Sequence, residues 1–79
     1  MPIAGVVITT TKEKSMQVLD QLNTIEDVTT YGVHKDNNII AVLEGDSPKD
    51  LENLSKKIQN EVSDVMGIYP AYVNYEDED

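Results

Sequence analysis

The sequence predicts an α+β domain of order β-α-β-β-α-β, a four-stranded antiparallel sheet with both helices on one face. Three observations carry this. Ile39-Ile40-Ala41-Val42-Leu43 is the longest unbroken apolar run and lies between Asp36-Asn37-Asn38 and Gly45-Asp46-Ser47-Pro48, so it reads as a central strand bounded by turns. A helix start follows at once: Ser47 suits the cap, Pro48 the first helical position, and Asp50 the place of a capping-box acid. Asp36-Asn37-Asn38 is a short polar link of the kind that closes a hairpin, so the strands on either side of it pair antiparallel.

The remaining elements fall around these. Ile3 to Thr10 is β-branched and nearly uncharged, a first strand. Thr11-Lys12-Glu13-Lys14 makes the turn, with Thr10 or Thr11 placed to cap the next helix. That helix spans Glu13 to Asn23, with Ser15, Val18, Leu19 and Leu22 on one face and Met16 packing at its flank. Val28 to Lys35 is the second strand and Ile39 to Glu44 the third. The second helix runs from Pro48 to Ser63, burying Leu51, Leu54, Ile58 and Val62. Ile68 to Tyr75 is the fourth strand, and Pro70, which has no N–H to give a ladder, places it at an edge. Two strand–helix–strand units with right-handed crossovers give the ferredoxin-like sandwich, whose second sheet face has no helical cover.

The chain has 79 residues, enough for one small domain, expected over 1–75. Fifteen acids against six lysines and no arginine give a net charge of −9. Glu76-Asp77-Glu78-Asp79 is expected to be a solvated, disordered tail. The acidity excludes nucleic acid, which needs a cationic footprint, and disfavours an anionic membrane surface. It favours a cationic partner. No stretch is long and apolar enough to span a bilayer, no signal peptide is evident, and cysteine is absent, so disulfides and thiolate metal sites are excluded. A cytoplasmic location is expected.

Charged residues fix the phase of the strands, because a charge does not sit under the helices. Lys35 puts Thr29, Tyr31 and Val33 on the open face and Val28, Thr30 and Gly32 beneath the helices. Glu44 puts Ile40 and Val42 outward and Ile39, Ala41 and Leu43 in the core. Ala4, Val6 and Ile8 make the better core set of the first strand, leaving Ile3, Gly5, Val7 and Thr9 outward. In the last strand Ala71 and Val73 suit the core, and Pro70, Tyr72 and Asn74 face out. The open face then carries Val7, Tyr31, Val33, Ile40, Val42 and Tyr72 as an apolar platform where polar residues are the rule. Such a face marks an interaction surface, for a partner or for a second copy of the chain.

No catalytic constellation emerges. His34 is the only histidine, beside the hairpin turn, with no nucleophile and orienting group to complete a triad. The acidic tail lacks the glycine-turned loop of a calcium site. Small acyl-phosphate hydrolases of this topology use an arginine to hold phosphate, and this chain has none. The expectation is a protein with no enzymatic activity, no cofactor and no metal.

From Ile3 to Tyr75 the chain resembles the NapD family, small cytoplasmic maturation chaperones of periplasmic nitrate reductase. The resemblance lies in Ile3-Ala4-Gly5-Val6-Val7-Ile8, in the helix ending Gln21-Leu22-Asn23, in Ile40-Ala41-Val42-Leu43-Glu44-Gly45-Asp46-Ser47, and in the closing Gly67-Ile68 to Val73-Asn74-Tyr75. The Glu-Gly-Asp-Ser passage is its most distinctive part. Thr29 stands where members often have an acid, and Glu76 follows Tyr75 where they often have histidine. The resemblance implies a chaperone that binds the twin-arginine signal peptide of the nitrate reductase catalytic subunit (NapA) as a helix across the open sheet face. It holds the precursor from export until the molybdenum cofactor is inserted. The apolar part of the leader would lie on Val7, Thr9, Tyr31, Val33, Ile40, Val42 and Tyr72, and its arginines would meet Glu44 or Asp46. A monomer or weak homodimer is expected. The second reading is a dimeric small-molecule-binding regulatory domain of the same topology.

Overall fold

The elements follow from local sequence. A computed structural model describes the backbone of residues 2–74 and the side chains through residue 71. It has β1 (Ile3–Thr9), α1 (Ser15–Leu22), β2 (Val28–His34), β3 (Asn38–Glu44), α2 (Pro48–Glu61) and β4 (Gly67–Asn74). The strands pair antiparallel in the order β2-β3-β1-β4. This is the ferredoxin-like sandwich, with β4 and its Pro70 at an edge. The acidic tail expected over 76–79 lies outside the described residues.

The core is built by alternation in the two central strands. Ala4, Val6 and Ile8 of β1 and Ile39, Ala41 and Leu43 of β3 are buried, and the residues between them are not. Helical spacing supplies the facing layer: Val18 and Leu22 of α1, Leu51 and Ile58 of α2, and Val62 just past it. Burying each of the larger side chains stabilises the fold by about 1.5–3 kcal/mol relative to exposure. Met16 is 61% exposed and does not pack at the helix flank, because it lies about 100° around the helix from Ser15 and further still from Val18 and Leu22, which set the buried stripe.

The helix caps differ in quality. Ser47 caps α2: its Oγ accepts the Asp50 N–H at 3.2 Å, and the Asp50 carboxylate accepts the Asp46 N–H at 3.0 Å. At α1 Thr11 Oγ1 accepts the Lys14 N–H at 3.3 Å in the turn that precedes the helix. Thr10 does something else. It is 2% exposed, and its Oγ1 donates to the Asp64 carbonyl at 2.7 Å, fastening the end of β1 to the turn before β4. The hairpin turns through Lys35 and Asp36, both at positive φ, as tight hairpin turns require.

Candidate functional site

The face opposite the helices is read directly from the register, because residues paired across antiparallel strands project to the same side. At one end Ile3 lies between Glu44 and Asn74. In the next row Gly5 lies between Val42 and Tyr72, with Thr29 beyond Val42. The third row places Val7 between Ile40 and Tyr69. The last places Thr9 between Asn38 and Gly67, with His34 beyond Asn38. Val7, Thr9, Ile40 and Val42 are half-buried. Tyr31 and Tyr69, on the two edge strands, are 64% and 57% exposed.

Two register shifts revise the expected face. Between Thr30 and Val33 the ladder slips, so that Tyr31 and Gly32 together oppose Ile40. Such a bulge inserts one residue into the period-two alternation. Val33 pairs with Ile39 and packs against the core, not on the open face where alternation from Lys35 places it, because Lys35 lies past the end of β2 in the positive-φ turn and does not report the strand's phase; the bulge is what keeps Thr29 and Tyr31 on the open face. Gly32, at φ +97, has the backbone freedom that the bulge needs. A glycine inside a strand was the available signal.

The second shift lies in β4. Tyr72 pairs with Gly5 and Pro70 with Val6, leaving Ala71 as the extra residue. Ala71 is exposed and not in the core as expected, while Ile68 packs against the core. Tyr69 thereby joins the open face opposite Val7, a site residue that the simple alternation misses. Tyr72 is placed on this face by backbone register, and its side chain lies outside the described residues.

The acids gather at the Ile3 end. The Glu44 N–H donates to the Asp27 carbonyl at 3.0 Å, and the Gly45 N–H donates to the Pro2 carbonyl at 3.2 Å. These bonds bring the α1–β2 turn beside the end of β3. A cleft of about 420 Å³ opens there, lined by Asp27, Glu44, Asp46 and Asp50, with Leu54 and Lys57. Glu44 belongs both to the end row of the face and to this cleft, whereas Asp46 belongs to the cleft only. Gly45 is forced by packing: a β-carbon there would stand 2.8 Å from that of Asp50. Among the described residues no three carboxylate or imidazole groups converge as a metal site would need. His34 is exposed at the opposite end of the sheet.

Among solved structures, the chain is similar to the crystal structure of FFRP-DM1, with a TM-score of 0.79, 20% identity, and coverage of 95% of this chain and 100% of that one. It is also similar to hypothetical protein PHS023 from Pyrococcus horikoshii, with a TM-score of 0.71, 23% identity, and coverage of 100% and 99%. At these identities the likeness shows the fold alone. No curated protein matches the chain. The NapD protein family matches residues 1–77, the whole of the sandwich and its uncovered face. The chain therefore belongs to the NapD family, whose members are maturation chaperones of nitrate reductase.

Proposed function

We propose that this protein binds the twin-arginine signal peptide of the nitrate reductase catalytic subunit in the cytoplasm, on the open face of its sheet, and delays export until the cofactor is in place. The observation that carries the reading is an uncovered apolar face in a chain of this family. Val7, Ile40 and Val42 form its floor, and tyrosines stand on both edge strands. A leader peptide has the matching chemistry: a basic, arginine-bearing end and an apolar stretch that can form an amphipathic or wholly apolar helix.

The two parts of such a peptide contribute unequally. An exposed carboxylate–guanidinium pair gives roughly 0.2–1 kcal/mol, although bidentate geometry adds orientation. Apolar contact contributes about 25 cal/mol per Å² removed from water, less the cost of association. Affinity thus rests mainly on the floor and the tyrosines, and the acids add direction and capture rate. The protein acts by occupancy, as a monomer or weak homodimer, with no catalytic step and no cofactor of its own.

Titration calorimetry with a synthetic twin-arginine leader tests this, beside a leader with both arginines changed to glutamine. Saturable one-to-one binding of the first and weaker binding of the second is the expected result. Absence of binding to either, together with a firm dimer in solution, would overturn the reading in favour of the small-molecule regulatory domain.

A further inference from the structure

The open face is not symmetric from end to end. At the Ile3 end Glu44 lies in the end row of the face, and beyond it Asp27, Asp46 and Asp50 line the adjoining cleft toward α2 together with one lysine, Lys57; Lys49 is engaged with Glu52 at 3.7 Å on α2. At the Thr9 end, Lys12, Lys14 and Lys35 are offset by Glu13, Asp36 and Asp64. The potential therefore runs from strongly negative to near neutral along the strands.

The relief of the face also has a direction. Tyr31 on β2 and Tyr69 on β4 stand at the two edges, while Gly5, Val7, Ile40 and Val42 on the central strands are short. This makes a trough parallel to β1 and β3. Each of these strands has seven residues. At about 3.3 Å per residue the trough is roughly 20 Å long, the length of a helix of about 13 residues at 1.5 Å rise.

We infer that the leader lies in this trough in one orientation, its arginine-bearing N-terminal end against Glu44 and toward the acidic cleft and its apolar C-terminal part toward Thr9 and Tyr69. The inference rests on the peptide-binding reading above. Two independent electrostatic effects favour this direction over the reverse. The arginines meet carboxylates and not the neutral end. The helix dipole, positive at its N-terminus, adds in the same sense. Reversal would place the basic end at the near-neutral end of the face, away from these carboxylates.

Paramagnetic broadening of the protein's amide signals tests the orientation. A synthetic twin-arginine leader carries a nitroxide label ahead of the arginines or, separately, at its C-terminal end. The N-terminal label is expected to broaden Glu44, Gly45 and Asp46 most, and the C-terminal label Thr9, Asn38 and Gly67. The opposite pattern, or equal broadening of both ends by either label, overturns the orientation while the peptide-binding reading stands. Failure of the unlabelled leader to bind by calorimetry overturns both.

Discussion

The ring of Tyr69 lies over the α-carbon of Gly67. A β-carbon built at Gly67 would stand 2.6 Å from the tyrosine Oη and 2.8 Å from Cε2. The pair sits at the Thr9 end of the open face, where Thr9 pairs with Gly67 and Val7 with Tyr69. Glycine here gives room for a ring that walls one side of the trough. Gly67→Ala should push the ring aside. Because only the far end of a mobile side chain is in the way, unfolding free energy should change by less than about 1 kcal/mol. Leader affinity should fall, as it should by about tenfold, or ~1.4 kcal/mol, in Tyr69→Ala. Calorimetry beside urea unfolding separates the two effects.

The bulge in β2 makes opposite predictions for two valines. Val42 pairs with Gly5 and Thr29 on the open face, whereas Val33 pairs with Ile39 and packs against the core. Val42→Glu should abolish leader binding and leave the fold intact, since the side chain enters solvent. Val33→Ala should cost about 1 kcal/mol of stability through lost packing and leave leader affinity unchanged. Loss of binding in Val33→Ala without loss of stability would contradict the placement.

Gly32→Ala tests the bulge itself. A β-carbon at Gly32 would meet nothing within 4 Å, so its cost is conformational and not steric. Holding alanine at φ +97 should destabilise the protein by about 1–2 kcal/mol. A urea midpoint unchanged from the parent would show that β2 can pair with β3 without the inserted residue.

Removal of the Ser47 hydroxyl should act on α2 and, through it, on the acidic cleft. Ser47→Ala forfeits the bond to the Asp50 N–H and should cost about 1 kcal/mol, with Ser47→Asp restoring most of it. Thermal unfolding of the three proteins gives the comparison.

The acidic end should show itself in kinetics. Raising salt from about 0.05 to 0.5 M shortens the screening length, so leader association should slow while dissociation changes little. Glu44→Gln should reduce the salt dependence. Stopped-flow mixing with a fluorescent leader measures both rates, and a salt-independent association rate would argue against steering.

Much of this architecture is already determined by the sequence, for local reasons. Ser47, Pro48 and Asp50 start α2 through their own backbone neighbours, and the alternation in β1 and β3 sorts core from face because neither strand is interrupted along their shared ladder. Once the charge of Glu44 sets the phase of β3, the floor residues Ile40 and Val42 follow from its alternation, and Val7 and Thr9 follow from the apolar core set of β1. Family membership was legible in the same stretches.

Only the tertiary structure decided the edges. Each edge strand carries one inserted residue, at Tyr31–Gly32 and at Ala71, and an insertion inverts which side chains face the helices from that point onward. Tyr69 entered the face for this reason, and Val33 left it because Lys35, which set the expected phase, belongs to the turn and not to the strand. The position of an insertion depends on which partner a backbone N–H or carbonyl finds across the sheet, a non-local choice that periodicity cannot express. The same holds for Thr10, whose hydroxyl reaches Asp64, and for Asp27, which meets Glu44 only when β2 and β3 are side by side. Alternation along one strand sets its faces, and pairing between strands sets which residues share them.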